Sequence, residues 1–120
     1  MNNKKHETFC DYDLTNLLIK LGFNWKEYFV AHDINEHFHW EIPLHIAQKW
    51  LREVKGIHIC VKSDAASINC KYFVTVIISD TEWGNVQDEN KKTILFNTYE
   101  VALKAGIKKA LEIILEKDNM

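Results

Sequence analysis

The stretch that decides the fold is Asn97 to Glu116, N-T-Y-E-V-A-L-K-A-G-I-K-K-A-L-E-I-I-L-E. Asn97 or Thr98 can cap a first helical turn through its side-chain oxygen, and Glu100 complements the positive helix end or closes a capping box with Asn97. Glu100, Lys104, Lys108, Glu112 and Glu116 recur every fourth residue as a solvated stripe. Leu103, Ile107, Ala110, Leu111 and Ile114 form an apolar face. The spacing predicts an amphipathic helix of about five turns, roughly 30 Å long. Beside the large side chains runs a narrower row, Ala102, Gly106 and Ala110, where another backbone can come close. Gly106 costs about 1 kcal/mol of helix propensity relative to Ala, so tight packing is the expected compensation. Two uses fit the row: a helix laid across a sheet, or a self-association face.

Just upstream, Thr93 to Phe96 reads as a short strand feeding this helix, preceded by a polar loop from Asp80 to Lys92. K-Y-F-V-T-V-I-I-S (71–79) is β-branched or aromatic on both faces, as a central strand should be. I-H-I-C-V-K (57–62) alternates strictly, with Ile57, Ile59 and Val61 on one face and His58, Cys60 and Lys62 on the other. Before it, P-L-H-I-A-Q-K-W-L-R-E-V-K-G starts at Pro43, carries Leu44, Ala47, Trp50, Leu51 and Val54 on one side, and stops at Gly56. Tyr28 to Ala31 and His37 to Ile42 read as an aromatic hairpin turning at Asp33 and Asn35. Asp11 or Asp13 can cap a first helix through Leu14, Leu17, Leu18 and Leu21 that ends at Gly22, with Phe23 folding back on its last turn. The expected fold is α+β in two layers, ordered α-β-β-α-β-β-β-α. A three-stranded antiparallel meander is flanked by helices, with the N-terminal helix and aromatic hairpin added. Residues 1–9 are expected to fray, and 10–120 to form a single domain.

At 120 residues with 47% hydrophobic composition, the chain can bury an independent core without disulfides or metals. A net charge of −2 gives no electrostatic footprint for nucleic acid or an anionic membrane. No apolar run reaches signal-peptide or membrane-span length, so a cytoplasmic protein is expected. Three cysteines, Cys10, Cys60 and Cys70, without C-x-x-C spacing, fit a reducing compartment.

With W-L-R-E-V-K-G-I-H-I (50–59) and T-Y-E-V-A-L-K-A-G-I-K-K-A-L-E-I-I (98–114) in view, the chain resembles an uncharacterised family of small proteins from gut anaerobic bacteria and their phages. Those proteins pair a K-W-L-R-E helix with a closing T-Y-E-x-A-L-x-A-G-I-x-x-A-L helix. The resemblance spans roughly residues 10 to 116 and departs at Leu44, Val101 and Lys104. It carries over no catalytic or binding residues. It implies an accessory protein of a phage or mobile element, working in the bacterial cytoplasm.

The helix, three-strand, helix order also resembles the double-stranded-RNA-binding domain, which grips phosphates with lysines at the start of its last helix. Here that position holds Tyr99 and Glu100, so nucleic acid is not the expected partner. His37 and His39 form an H-x-H pair on one side of a strand, with His32 and His45 nearby, and three or four imidazoles can hold zinc. The spacing matches no strong metal signature, and a histidine-rich surface strand accounts for it equally; no cofactor is expected. His58 and Cys60 share a strand face, with Cys70 across from them as a thiol candidate, but no oxyanion hole or orienting acid accompanies them. Neither a glycine-rich phosphate loop nor G-x-S-x-G is present, so no enzyme is expected.

Tryptophan is the remaining signal. Trp50 belongs to a helix face, whereas Trp83, in S-D-T-E-W-G-N, lies where burial is hard to arrange. Trp25, Tyr28, Phe29, Phe38 and Trp40 form a second cluster. Exposed Trp and Tyr are frequent interface anchors, so Trp83, Trp40, Phe38, Trp25 and Tyr28 are the candidate contacts of a protein partner. A metal or small-ligand site on the histidine hairpin, a homodimer or larger structural oligomer, and duplex-RNA binding are the alternatives.

Overall fold

The computed structural model describes residues 9–24, 42–64 and 70–118. Helix α1 spans Tyr12–Lys20. Helix α2 spans Leu44–Trp50 and continues through a single π turn, Leu51–Lys55. The strands are β1, His58–Ser63, β2, Tyr72–Ser79, and β3, Glu82–Asn85. Helix α3, Tyr99–Asp118, is 20 residues long and closes the fold. The strands form an antiparallel sheet in the order β1-β2-β3. Helices cover one of its faces, giving the expected α+β architecture.

Local chemistry sets each end. Asp11 caps α1, its Oδ1 accepting from the Leu14 N–H at 2.8 Å. Between the two candidates at the start of α3, Thr98 is the cap, its Oγ1 accepting from the Val101 N–H at 3.1 Å, while the Asn97 side chain accepts from Lys71 Nζ. Phe23 does fold back: its N–H donates to the Leu18 carbonyl at 2.9 Å, and its ring meets Trp50 edge-on at 5.8 Å. The π turn changes the reading of α2. It holds more residues per turn than an α-helix, so Val54 leaves the stripe that buries Leu44, Ala47 and Leu51 and stands 61% exposed. Gly56, at φ 70°, then turns the chain toward β1.

The core lies between α3 and the sheet. Ala102, Leu103, Gly106, Ile107, Ala110 and Leu111 are all buried against Ile57, Ile59, Val74 and Val76, with α1 and α2 packed beside α3. The small-residue row therefore serves the helix-on-sheet contact. At Gly106 the approach is closest: a Cβ built there would lie 2.6 Å from Val74 Cγ2 and 2.7 Å from Ile59 Cγ2. Both neighbours are β-branched and stiff at χ1, so neither can swing aside.

The third strand differs from expectation. Thr93 to Phe96 is not the strand beside β2; that place goes to Glu82–Asn85, inside the stretch read as loop. The hairpin turns at Asp80 and Thr81, and a bulge between Ile77 and Ser79 absorbs one residue. The far flank of β2 is then filled in series. Gly84 pairs with Val76, the Val86 N–H donates to Val74 at 3.0 Å, and Phe96 exchanges two bonds with Tyr72. Thr93 to Phe96 thus supplies the last rung, because the polar groups of Tyr72 need a partner that β3 is too short to provide. The hairpin read over residues 28–42 lies outside the described residues except at its end, where Ile42 is buried and accepts from the Cys10 N–H at 2.8 Å.

Two outcomes follow. Gly106→Ala should cost about 1–3 kcal/mol in overpacking, offset by up to about 1 kcal/mol of helix propensity, for a net loss read as a lower urea midpoint. Cys10 supplies the second. Burial, with Asp11 adding to it and Lys104 opposing, pushes its thiol up from 9.0 to about 12. Between those values the unfolded chain has released the proton that the folded chain keeps, so stability falls as pH rises through that window. Subtracting the alkaline stability curve of Cys10→Ala from that of the wild type should isolate this slope.

Candidate functional site

The alternation of the sheet decides which side chains meet on the side turned away from α3. Because Ile59, Val74 and Val76 face α3, the opposite face carries His58, Cys60 and Lys62 from β1, Phe73, Thr75 and Ile77 from β2, and Trp83 and Asn85 from β3. Register sorts them into rows. His58, Ile77 and Trp83 form one, and Cys60, Thr75 and Asn85 the next.

The second row is polar and tied. Thr75, buried at the centre of the sheet, donates to Asn85 Oδ1 at 2.6 Å, and the Asn85 amide donates to Thr93 Oγ1 at 3.4 Å. The first row ends in Trp83, which is 65% exposed although it stands in a strand, cross-strand from the half-buried Ile77. The Trp83 side chain is on the face of the sheet turned away from α3, so the helix does not shelter it. A Cβ added at Gly84, on the helix side of β3, would have nothing within 4 Å. Among the described residues Trp83 and Gly84 are therefore open on opposite faces of β3, while its two ends are tied, Glu82 by an ion pair with Lys117 at 3.3 Å and Asn85 by its bonds to Thr75 and Thr93.

Among the described residues the outer edge of β3 is open as well. The Val86-to-Val74 bond sets the parity of the ladder, so Gly84 points its N–H and C=O at β2 while Trp83 and Asn85 point theirs outward. The opposite edge is treated differently. On β1 the outward Ile59 carbonyl accepts from the Gln48 side chain of α2 at 2.8 Å.

Of the residues singled out from sequence, Trp83 is placed in the open. Trp25, Tyr28, Phe38, Trp40, His32, His37 and His39 lie outside the described residues. His45 is exposed on α2. Among the described residues no three His, Cys, Asp or Glu side chains are grouped to hold a metal. The thiol constellation is not assembled: Cys60 lies across from Thr75, whereas Cys70 is beyond the start of β2, past the last rung joining Ser63 to Tyr72. Trp50 is a packing residue, half-buried against Phe23 with the Lys55 ammonium 5.5 Å from its ring centre. Sequence reading missed Ile77 as the cross-strand neighbour of Trp83, since only the bulged register reveals it.

Two adjoining clefts flank α3 and share Phe96, Ala105 and Lys108, one of about 280 Å3 against α1 and one of about 440 Å3 against the 85–94 segment. Their rims are balanced. Asp11 and Asp13 oppose Lys104 and Lys108 in the first, and Asp88 and Glu112 oppose Lys108 and Lys109 in the second, so neither favours one sign of ligand.

Among the described residues no helix is long and apolar enough to cross a membrane. The chain matches no family model, no curated protein and no solved structure.

The openness of β3 makes its side chains removable. Trp83→Ala should shift stability by no more than about 0.5 kcal/mol, as expected for an exposed side chain. Thr75→Val, which strands the Asn85 acceptor, should cost about 1 kcal/mol; parallel thermal melts compare the two.

Proposed function

We propose that this protein is a non-enzymatic protein-binding module, a small accessory protein of the phage or mobile-element type that acts in the bacterial cytoplasm by engaging and modulating a host protein. One observation carries the reading: a tryptophan 65% exposed on a strand whose Gly84 side and outer edge are also open among the described residues. Leaving a large aromatic surface in water forgoes the stabilisation that burial elsewhere in the fold would supply. Among the described residues Ile77 is the one cross-strand neighbour of Trp83 in the ladder, and that pairing does not require a tryptophan. A partner that covers the ring supplies the missing burial, and tryptophan is among the residues that dominate such contacts.

The reading assigns Trp83 a large share of the binding energy, with no effect on folding. Affinity purification of the tagged wild type from the bacterial cytoplasm should retain a partner that the equally stable Trp83→Ala variant loses, a change of about 2 kcal/mol or more in binding. A variant that keeps the same partner at the same yield would refute the assignment.

A further inference from the structure

The four glycines of the chain do not all have an internal reason to be glycine. Gly22 and Gly56 occupy positive φ, at 109° and 70°, and Gly106 lies under Val74 and Ile59. Gly84 has neither excuse: its φ is not positive and the space where a side chain would stand is empty. Glycine in a strand interior weakens the strand, and where it persists it often marks a place where another chain comes close. Its neighbour Trp83 is exposed on the opposite face, and the outward backbone groups on either side of it, those of Trp83 and Asn85, lie along the open edge of the sheet.

We propose that β3 is a docking edge for an extended segment of a partner protein. The segment adds as a fourth strand through the N–H and C=O groups of Trp83 and Asn85, and lays a large aromatic side chain over Gly84 while its other face packs on Trp83. This rests on the protein-binding reading of Trp83 and gives it a mode, strand addition, in which the backbone ladder supplies affinity and alternate side chains supply specificity. Aromatic side chains are the usual complement of a glycine at a sheet edge. Among the described residues the cross-strand neighbour of Gly84 is Val76, and no aromatic side chain lies over it.

A second copy of the chain does not fit that place. In an antiparallel pairing of two β3 edges, the outward residues Trp83 and Asn85 must bond one another across the interface. The same alternation then sets Gly84 opposite Gly84, Glu82 or Val86 of the other copy, and never opposite Trp83. Self-pairing would also bury only two four-residue strands, far short of the roughly 1,200 Å2 of a stable interface.

The test uses the intact protein and a displayed library of random linear peptides. Selected peptides should carry an aromatic residue within an alternating pattern, and on binding should slow hydrogen exchange at the Trp83 and Asn85 amides. Gly84→Val, which fills the vacancy with a strand-favouring residue, should melt at or above the wild-type temperature yet weaken binding by about tenfold or more. Binding that is lost in Trp83→Ala but unchanged in Gly84→Val, with no amide protection, would overturn strand addition and leave the protein-binding reading standing. Peptide binding unchanged in both variants would overturn both. Amide protection already present without peptide, together with a dimer by light scattering, would make the occupant a second copy and overturn the proposal.

Discussion

Everything in this fold is measured from the contact between Gly106 and the two valine-like branches beneath it, Val74 Cγ2 and Ile59 Cγ2. A helix normally rests on a sheet through its side chains. Here the backbone of α3 comes down between β1 and β2, and Ala102 and Ala110, one turn to either side, let it stay down. That closeness brings Leu103, Ile107 and Leu111 into full burial. It also centres α3 over the first two strands, leaving the third beyond its shelter.

The uncovered third strand follows from the same geometry. A single helix is about 10 Å across, roughly two strand spacings, so it shields two strands well and a third poorly. The empty space at Gly84, on the helix side of β3, is thus a consequence of where α3 had to sit, whereas Trp83 stands on the face turned away from the helix. The β1 edge does not share this condition, because α2 lies alongside and Gln48 occupies the Ile59 carbonyl.

The parts legible in the sequence were those written in side-chain periodicity. The apolar face of α3, the strict alternation of β1 and the doubly apolar β2 each state their surroundings, and the caps at Asp11 and Thr98 mark starts that the hydrogen bonds bear out. Two features were not legible. E-W-G-N has no alternation and a glycine, and is a strand only because Val74 and Val76 present backbone groups that need a partner. The π turn at Leu51–Lys55 keeps an α-like apolar spacing through Val54, and only its wider pitch moves that side chain into solvent. The candidate site was half visible: Trp83 and the glycine after it could be named from the sequence, but the pairing of Trp83 with Ile77 depends on a bulge that no local pattern announces.

The interrupted flank of β2 has a last consequence. Since Phe96 resumes the ladder where Val86 leaves it, the excursion between them closes on itself through the Gln87–Thr93 bridge, and its tip keeps its own shape. Asp88 Oδ1 accepts from the Asn90 and Lys92 N–H groups at 2.8 and 3.0 Å, with Lys91 at a positive φ. Lengthening such a self-contained detour costs only closure entropy, about 0.6 kcal/mol per doubling. Extra residues would therefore be borne at the tip of this detour, beside β3, at far smaller cost than within the helices.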